Sequence, residues 1–266
     1  MNIHPTAIIG KRAKIDPSVS IGPYAIIEDD VKINKNVKVF AHAYICNGTQ
    51  IDEDTQIHMG AVIGHLPQDI AFSGKISYTK IGKRNIIREY TTIHRGTKEE
   101  TATEIGDDNF LMALSHVGHN CKLGNKVILA NGALLAGYVN VEDEVFVSGN
   151  VVVHQFCRIG RLAMIGGFSG VNKDVPPYMT VRGASTIRAV NLVGLRRAGF
   201  NNSLIKEIKE AFKLLYRSGL NTKQALEKIL LEKKGKEITH LVNFIKESKR
   251  GICKYGDELV DKVNTD

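Results

Sequence analysis

An isoleucine or valine occupies every sixth position from Ile3 to Ile63 without a break, through Ile9, Ile15, Ile21, Ile27, Ile33, Val39, Ile45, Ile51 and Ile57. The series resumes at Ile81, Ile87 and Ile93, and runs again from Ile105 through Leu111 and Val117 to Val171. An α-helix repeats at about 3.6 residues and a strand at about 2, so neither generates a strict six. A hexapeptide period belongs to a parallel β-helix, in which each hexad lays down one flat face and its aliphatic residue points inward. Three hexads close a triangular coil, so residues 18 apart stack vertically, at a strand spacing of about 4.8 Å. The 26 hexads make nearly nine coils, a prism about 40 Å tall.

The pauses near 65–80 and 98–104 read as loops thrown out from the prism, and loops interrupting so regular a scaffold tend to carry function. Pro176-Pro177 cannot donate ladder hydrogen bonds and is expected to stop the repeat. The organisation expected is a β-helix over 1–188 followed by a helical domain over 189–266. Ser203 is placed to cap a helix running to Arg217, and Thr222 a second helix stopped by Gly235. A third helix is expected between Glu237 and Arg250, with fraying over 252–266.

Charge and cysteine usage narrow the function classes. The net charge is +8, and the chain from residue 190 onward carries 16 Lys plus Arg against 10 Asp plus Glu. A basic appendix of this kind attracts an anionic partner. No stacking aromatics or nucleic-acid motif accompany that charge, so nucleic acid is not expected. No apolar run reaches the length of a membrane span, and the N-terminus reads as repeat rather than as a signal peptide. Cys46, Cys121, Cys157 and Cys253 show no paired spacing, and Cys121 and Cys157 fall on inward positions. Buried thiols in a reducing cytoplasm are therefore expected.

A purely structural solenoid predicts polar corners that do not converge. His119, Gly137, Gln155 and Lys173 lie 18 apart and share one hexad position, so they form one vertical column. A base sits one coil below a residue whose backbone N–H is approachable and two below a hydrogen-bonding amide, with His116 nearby. Acyl transfer needs such a base and a fixed donor for the oxyanion. Zinc binding at a hexapeptide-repeat seam uses histidines five apart, and none of the nine histidines here has that spacing. No metal is expected.

The stretches NIIREYTTIHRGT (85–97), HVGHNCKLGN (116–125), ILANGALLAG (128–137), VHQFCRIG (153–160), GGFSGVNKDVPPY (166–178) and LLYRSG (214–219) span nearly the whole chain. Together they resemble the UDP-N-acetylglucosamine O-acyltransferases of lipid A biosynthesis. The resemblance implies a left-handed parallel β-helix, a homotrimer with active sites between neighbouring prisms, and no cofactor. It implies transfer of a (3R)-3-hydroxyacyl group from acyl carrier protein to the sugar 3-hydroxyl, in the cytoplasm. His119 becomes the general base and the Gly137 amide the oxyanion donor. Gln68, Asp69, His116, Gln155, Asn191 and Arg197 become substrate-binding residues, and Gly167 the residue that ends the acyl groove. An acyl chain rising from His119 reaches Gly167 after about twelve to fourteen carbons at strand-stack spacing. Asn120, Ala71 and Val193 stand where the family commonly has Asp, Lys and Glu. Some relatives acylate a 3-amino sugar instead, and the alternatives are that N-acyl transfer or a non-catalytic solenoid.

Overall fold

The computed structural model describes residues 2–256. The repeat folds as a left-handed parallel β-helix whose coils stack into three sheets of 12, nine and eight strands. On the first face the inward column runs Ile3, Ile21, Val39, Ile57, Ile87, Leu111, Leu129, Val147 and Ile165. The second face stacks Ile9 through Ile63, Ile93 and Val117 to Val171, and the third stacks Ile15 through Ile81 to Ile159. From the second coil upward these aliphatics are almost wholly buried, and they form one continuous core. From the second coil upward the regular corners turn on a residue in the left-handed region, such as Tyr24 (φ 57°), Asn36 (φ 58°), Arg84 (φ 54°) and Asn120 (φ 58°). All four cysteines are buried and free, and burial pushes the Cys121 thiol up to about 12.

The two pauses are insertions at one corner. An unbroken coil carries Ile9 to Ile27 in three hexads, whereas Ile63 reaches its partner Ile93 in five and Ile93 reaches Val117 in four. Ile63 and Ile81 are three hexads apart in sequence yet lie on different faces, because Ile81 pairs with Ile51. Both loops leave the corner between the second and third faces. They are pinned there by Arg95 Nε donating to the Gly64 carbonyl at 2.8 Å and by Lys75 and Glu99 at 3.7 Å.

The faces differ outside as well. Outward residues of the third face include the exposed Lys14, Lys32, Lys80 and Lys122. In the upper coils the first face presents Ile86, Phe110, Ile128, Phe146 and Met164, and the second presents the exposed Leu134 and Val152.

Pro176-Pro177 does not end the prism. Strand Met179–Arg182 adds one more rung to the first face, with Val181 beside Ile165, and turns back antiparallel as Thr186–Val190. That hairpin leads into helices α1 (Leu192–Arg197), α2 (Asn202–Tyr216), α3 (Thr222–Glu232) and α4 (Lys236–Lys246). The caps differ from those expected. Asn201, not Ser203, accepts from the Leu204 N–H to start α2, and Asn221, not Thr222, forms a reciprocal capping box with Gln224 at α3. Asn is as good an N-cap as Ser or Thr and lies nearer each helix start. Residues Lys254–Tyr255 form a strand beside Thr186–Ile187, so 252–256 do not fray. The rest of the expected tail lies outside the described residues.

α4 is held against the prism by His240 Nε2 at 2.7 Å from Glu142 and by Arg158, whose guanidinium stacks 4.1 Å from the Phe244 ring. Among the described residues no helix is long and apolar enough to cross a membrane.

Candidate active site

The corner from which both loops depart carries a cleft of about 280 Å³, lined by Gln68, His116, His119, Gly137 and Gln155 together with His94, Leu134 and Val152. The coil-to-coil stacking holds in three dimensions: a Cβ on Gly137 would lie 2.4 Å from the His119 ring, so only glycine fits above this imidazole. Pro5, Pro17 and Pro23 occupy the hexad position of Gly137 in other coils, so the N–H at that position is not needed by the ladder. Among the described residues the Gly137 N–H meets no backbone acceptor.

His119 is 9% exposed. Its Nδ1 lies 3.1 Å from Asn120 Oδ1 and its Nε2 lies 3.8 Å from Asp69 Oδ2, on the first loop. Asp69 is itself set by a bond from the Ala71 N–H to Oδ1 at 2.9 Å. His116 faces the same cleft from the second face, with Nδ1 at 2.8 Å from Thr92 Oγ1. Burial, and then the neighbouring His119, holds its imidazole below the usual histidine range. Among the described residues no group of three or more His, Cys, Asp and Glu is placed to hold a metal ion.

Three expected residues lie elsewhere on this chain. Asn191 and Arg197 line a separate groove of about 790 Å³ on the first face, with Ile128, Phe146 and Met164. Both ends of the Asn191 amide are already used, Oδ1 accepting from the Gly194 N–H at 3.0 Å and Nδ2 donating to the Leu162 carbonyl at 2.8 Å. Gly167 is exposed at the corner between the first and second faces, where a Cβ would meet the Gly149 carbonyl at 3.4 Å. A chain running from His119 to Gly167 therefore crosses the outside of the second face past Leu134 and Val152, and does not climb a single column.

Sequence reasoning passed over His94, Thr97 and Tyr138. Burial, and then His116 and His65, press the His94 imidazole down to about 4, and its ring meets His116 edge-on at 5.1 Å. Tyr138 sits one coil above Asn120 and packs edge-on against His119 at 5.3 Å, so the column argument moved along by a single position would have found it. Thr97 reaches the site from the second loop, which has no repeat to index it.

Comparison with known proteins places this architecture. The family described as Udp N-acetylglucosamine O-acyltransferase, Domain 2, matches residues 174–253, and the bacterial transferase hexapeptide repeats match residues 102–137. A protein of Alkalilimnicola ehrlichii named Acyl-[acyl-carrier-protein]--UDP-N-acetylglucosamine O-acyltransferase is 49% identical over 255 residues, covering 95% of this chain and 99% of that one. The chain belongs to the UDP-N-acetylglucosamine O-acyltransferase family. A second member of that name, from a Janthinobacterium species, is 47% identical over 259 residues, covering 95% of this chain and 99% of its own. Among solved members, the UDP-N-acetylglucosamine acyltransferase of Francisella novicida superposes with a TM-score of 0.91 at 38% identity, covering 99% of this chain and 100% of that one. The Campylobacter jejuni member gives 0.90 at 38% identity, covering 96% and 100%. The family likeness thus takes in the prism, both loops and the helices.

Proposed function

We propose that this chain transfers a (3R)-3-hydroxyacyl group from acyl carrier protein to the 3-hydroxyl of UDP-N-acetylglucosamine. The observation that carries the reading is the fit of the His119 ring under Gly137, which sets a base and an unpaired N–H side by side in a cleft that apolar residues enter from the second face. His119 Nε2 takes the proton of the sugar hydroxyl, and the oxygen attacks the thioester carbonyl. The oxyanion is held by the Gly137 N–H, and the leaving thiolate recovers the proton from the imidazolium. Asp69, 3.8 Å from Nε2, stabilises that imidazolium. His116, Gln68 and Gln155 hold the sugar, and Gly167 ends the acyl path.

Asn191 and Arg197 serve the reaction from a neighbouring copy, because their groove and the His119 cleft lie on different faces of one prism. A homotrimer that turns the apolar first and second faces inward and leaves the lysine-bearing third face outside would join the two. The basic helices α2–α4 receive the acidic carrier protein, and the reaction runs in the cytoplasm.

The test is an assay with hydroxyacyl carrier proteins of graded length against UDP-N-acetylglucosamine and its 3-amino analogue. Ester formation on the 3-hydroxyl, with Gly167→Met shifting preference to shorter donors, is the expected result. Transfer to the amine alone would replace the reading by N-acylation. No transfer to either sugar would sink it.

A further inference from the structure

Asn120 Oδ1 is the most heavily used side-chain acceptor in the site. It accepts from the Thr97 N–H and from Thr97 Oγ1, both at 2.9 Å, and stands 3.1 Å from His119 Nδ1. A backbone N–H can only donate, so the end of the amide facing Thr97 is its oxygen and not its NH₂. An oxygen in that place obliges His119 Nδ1 to carry the hydrogen. In the neutral imidazole Nε2 then holds the free lone pair. Having donated to Asn120, Thr97 Oγ1 accepts from the Tyr138 hydroxyl at 2.9 Å, and the Tyr138 ring returns to His119 edge-on. Thr97, His119 and Asn120 are all buried, so water competes poorly for these bonds.

The charged and titratable groups around His119 come from four directions. Asp69 faces Nε2 from the first loop, His116 lies beside it on the second face, His94 lies one coil below and Tyr138 one coil above. The residue that touches Nδ1 is uncharged.

We propose that Asn120 and Thr97 are positioning residues that lock His119 in the Nδ1–H tautomer through an uncharged hydrogen-bond network, while Asp69 alone supplies the carboxylate that meets the imidazolium. Orientation and charge are thereby separated onto different elements. In the transfer step the hydroxyl proton moves to Nε2 and Nδ1 keeps its own, since an amide oxygen accepts a hydrogen bond without taking the proton. The kinetic consequences rest on the proposed acyl transfer; the tautomer does not.

Nitrogen-15 NMR of the histidine-labelled full chain, with His119 assigned by comparison with His119→Gln, reads the tautomer directly. Above the imidazole titration His119 is expected to show a protonated Nδ1 and a bare Nε2; a protonated Nε2 overturns the proposal whatever the enzyme does. Thr97→Val is expected to let the Nε2–H form appear and to lower kcat on the order of 10-fold at nearly unchanged KM. An unchanged spectrum and unchanged kcat in that variant also overturn it. Asn120→Asp tolerates the same left-handed backbone. It should keep the Nδ1–H tautomer and move the acid limb of the kcat/KM profile about one pH unit upward, because a carboxylate favours the imidazolium. A limb that stays in place contradicts the uncharged role of Asn120. Correct spectra with no acyl transfer would overturn the function and leave the network standing.

Discussion

At the corner between the third and first faces the hexad repeat runs unbroken, and its polar side chains satisfy one another from coil to coil. Asn36 Nδ2 donates to Asp54 at 3.1 Å, Arg84 forks onto Asp108 at 2.7 Å through both nitrogens, and Arg161 reaches Glu144 at 2.8 Å. The corner between the second and third faces begins the same way, with Arg12 forked onto Asp30 at 3.0 and 2.8 Å. At the two insertions it changes: His119 is buried against a cleft instead of joining a ladder of side chains, and the buried Asn120 and Thr97 bond each other behind it. The corner itself is therefore not what differs. Inserting two hexads' length of chain and then one interrupts the coil at this corner and brings Asp69 to His119 Nε2 and Thr97 onto Asn120 Oδ1. A regular solenoid consumes its own polar groups, and an interrupted one leaves them available for chemistry.

Substitutions at the two corners sharpen this contrast. The largest effect belongs to His119→Ala, which should lower turnover on the order of 10²–10⁴-fold with the thermal midpoint little changed. Gly137→Ala comes next. Its Cβ would meet the His119 ring at 2.4 Å, and displacing the imidazole by about 1 Å to relieve that contact should cost on the order of 10²-fold in kcat. Normal kcat in Gly137→Ala would break the stacking argument.

The buried histidines make the interrupted corner the acid-sensitive one. The folded value for His94 is about 4, below an unfolded value of about 6.5. Between those values the unfolded chain binds a proton that the folded chain refuses. The neutral fold keeps its full stability above about pH 6.5 and loses up to about 3 kcal/mol as the pH falls to about 4. His94→Gln should flatten that acid slope in thermal melts, and an equally steep slope would assign it to other groups. The smallest effect is expected at the unbroken corner. Arg84→Ala should leave turnover unchanged and barely move the melt, because the Arg84–Asp108 pair is exposed and screened. A clear loss of turnover there would mean that the two corners are coupled.

What the sequence disclosed follows the same division. Wherever the period of six held, stacking was arithmetic, and it placed His119 under Gly137 and Gln155 near them without any structure. Where the period failed, so did the arithmetic. Ile81 follows Ile63 by three whole hexads and yet belongs to the next face, because nothing local states how much of a loop is insertion. The step from Ile165 to Val181, the last rung beyond Pro176-Pro177, falls short of three hexads, so the repeat could not index it. The Asn201 and Asn221 caps were legible in principle, being good N-caps just ahead of those expected. Thr97 was not, because its role depends on which loop folds back onto the corner.

The most direct test of the central claim is chemical rescue of His119→Gly by added imidazole, followed across pH. Removing the side chain leaves a space beneath Gly137 that a free imidazole fits. The account predicts a nearly inactive variant whose turnover rises in proportion to unprotonated imidazole, since the missing group is a base. Near-normal turnover without imidazole, or rescue that follows the imidazolium form, would contradict it.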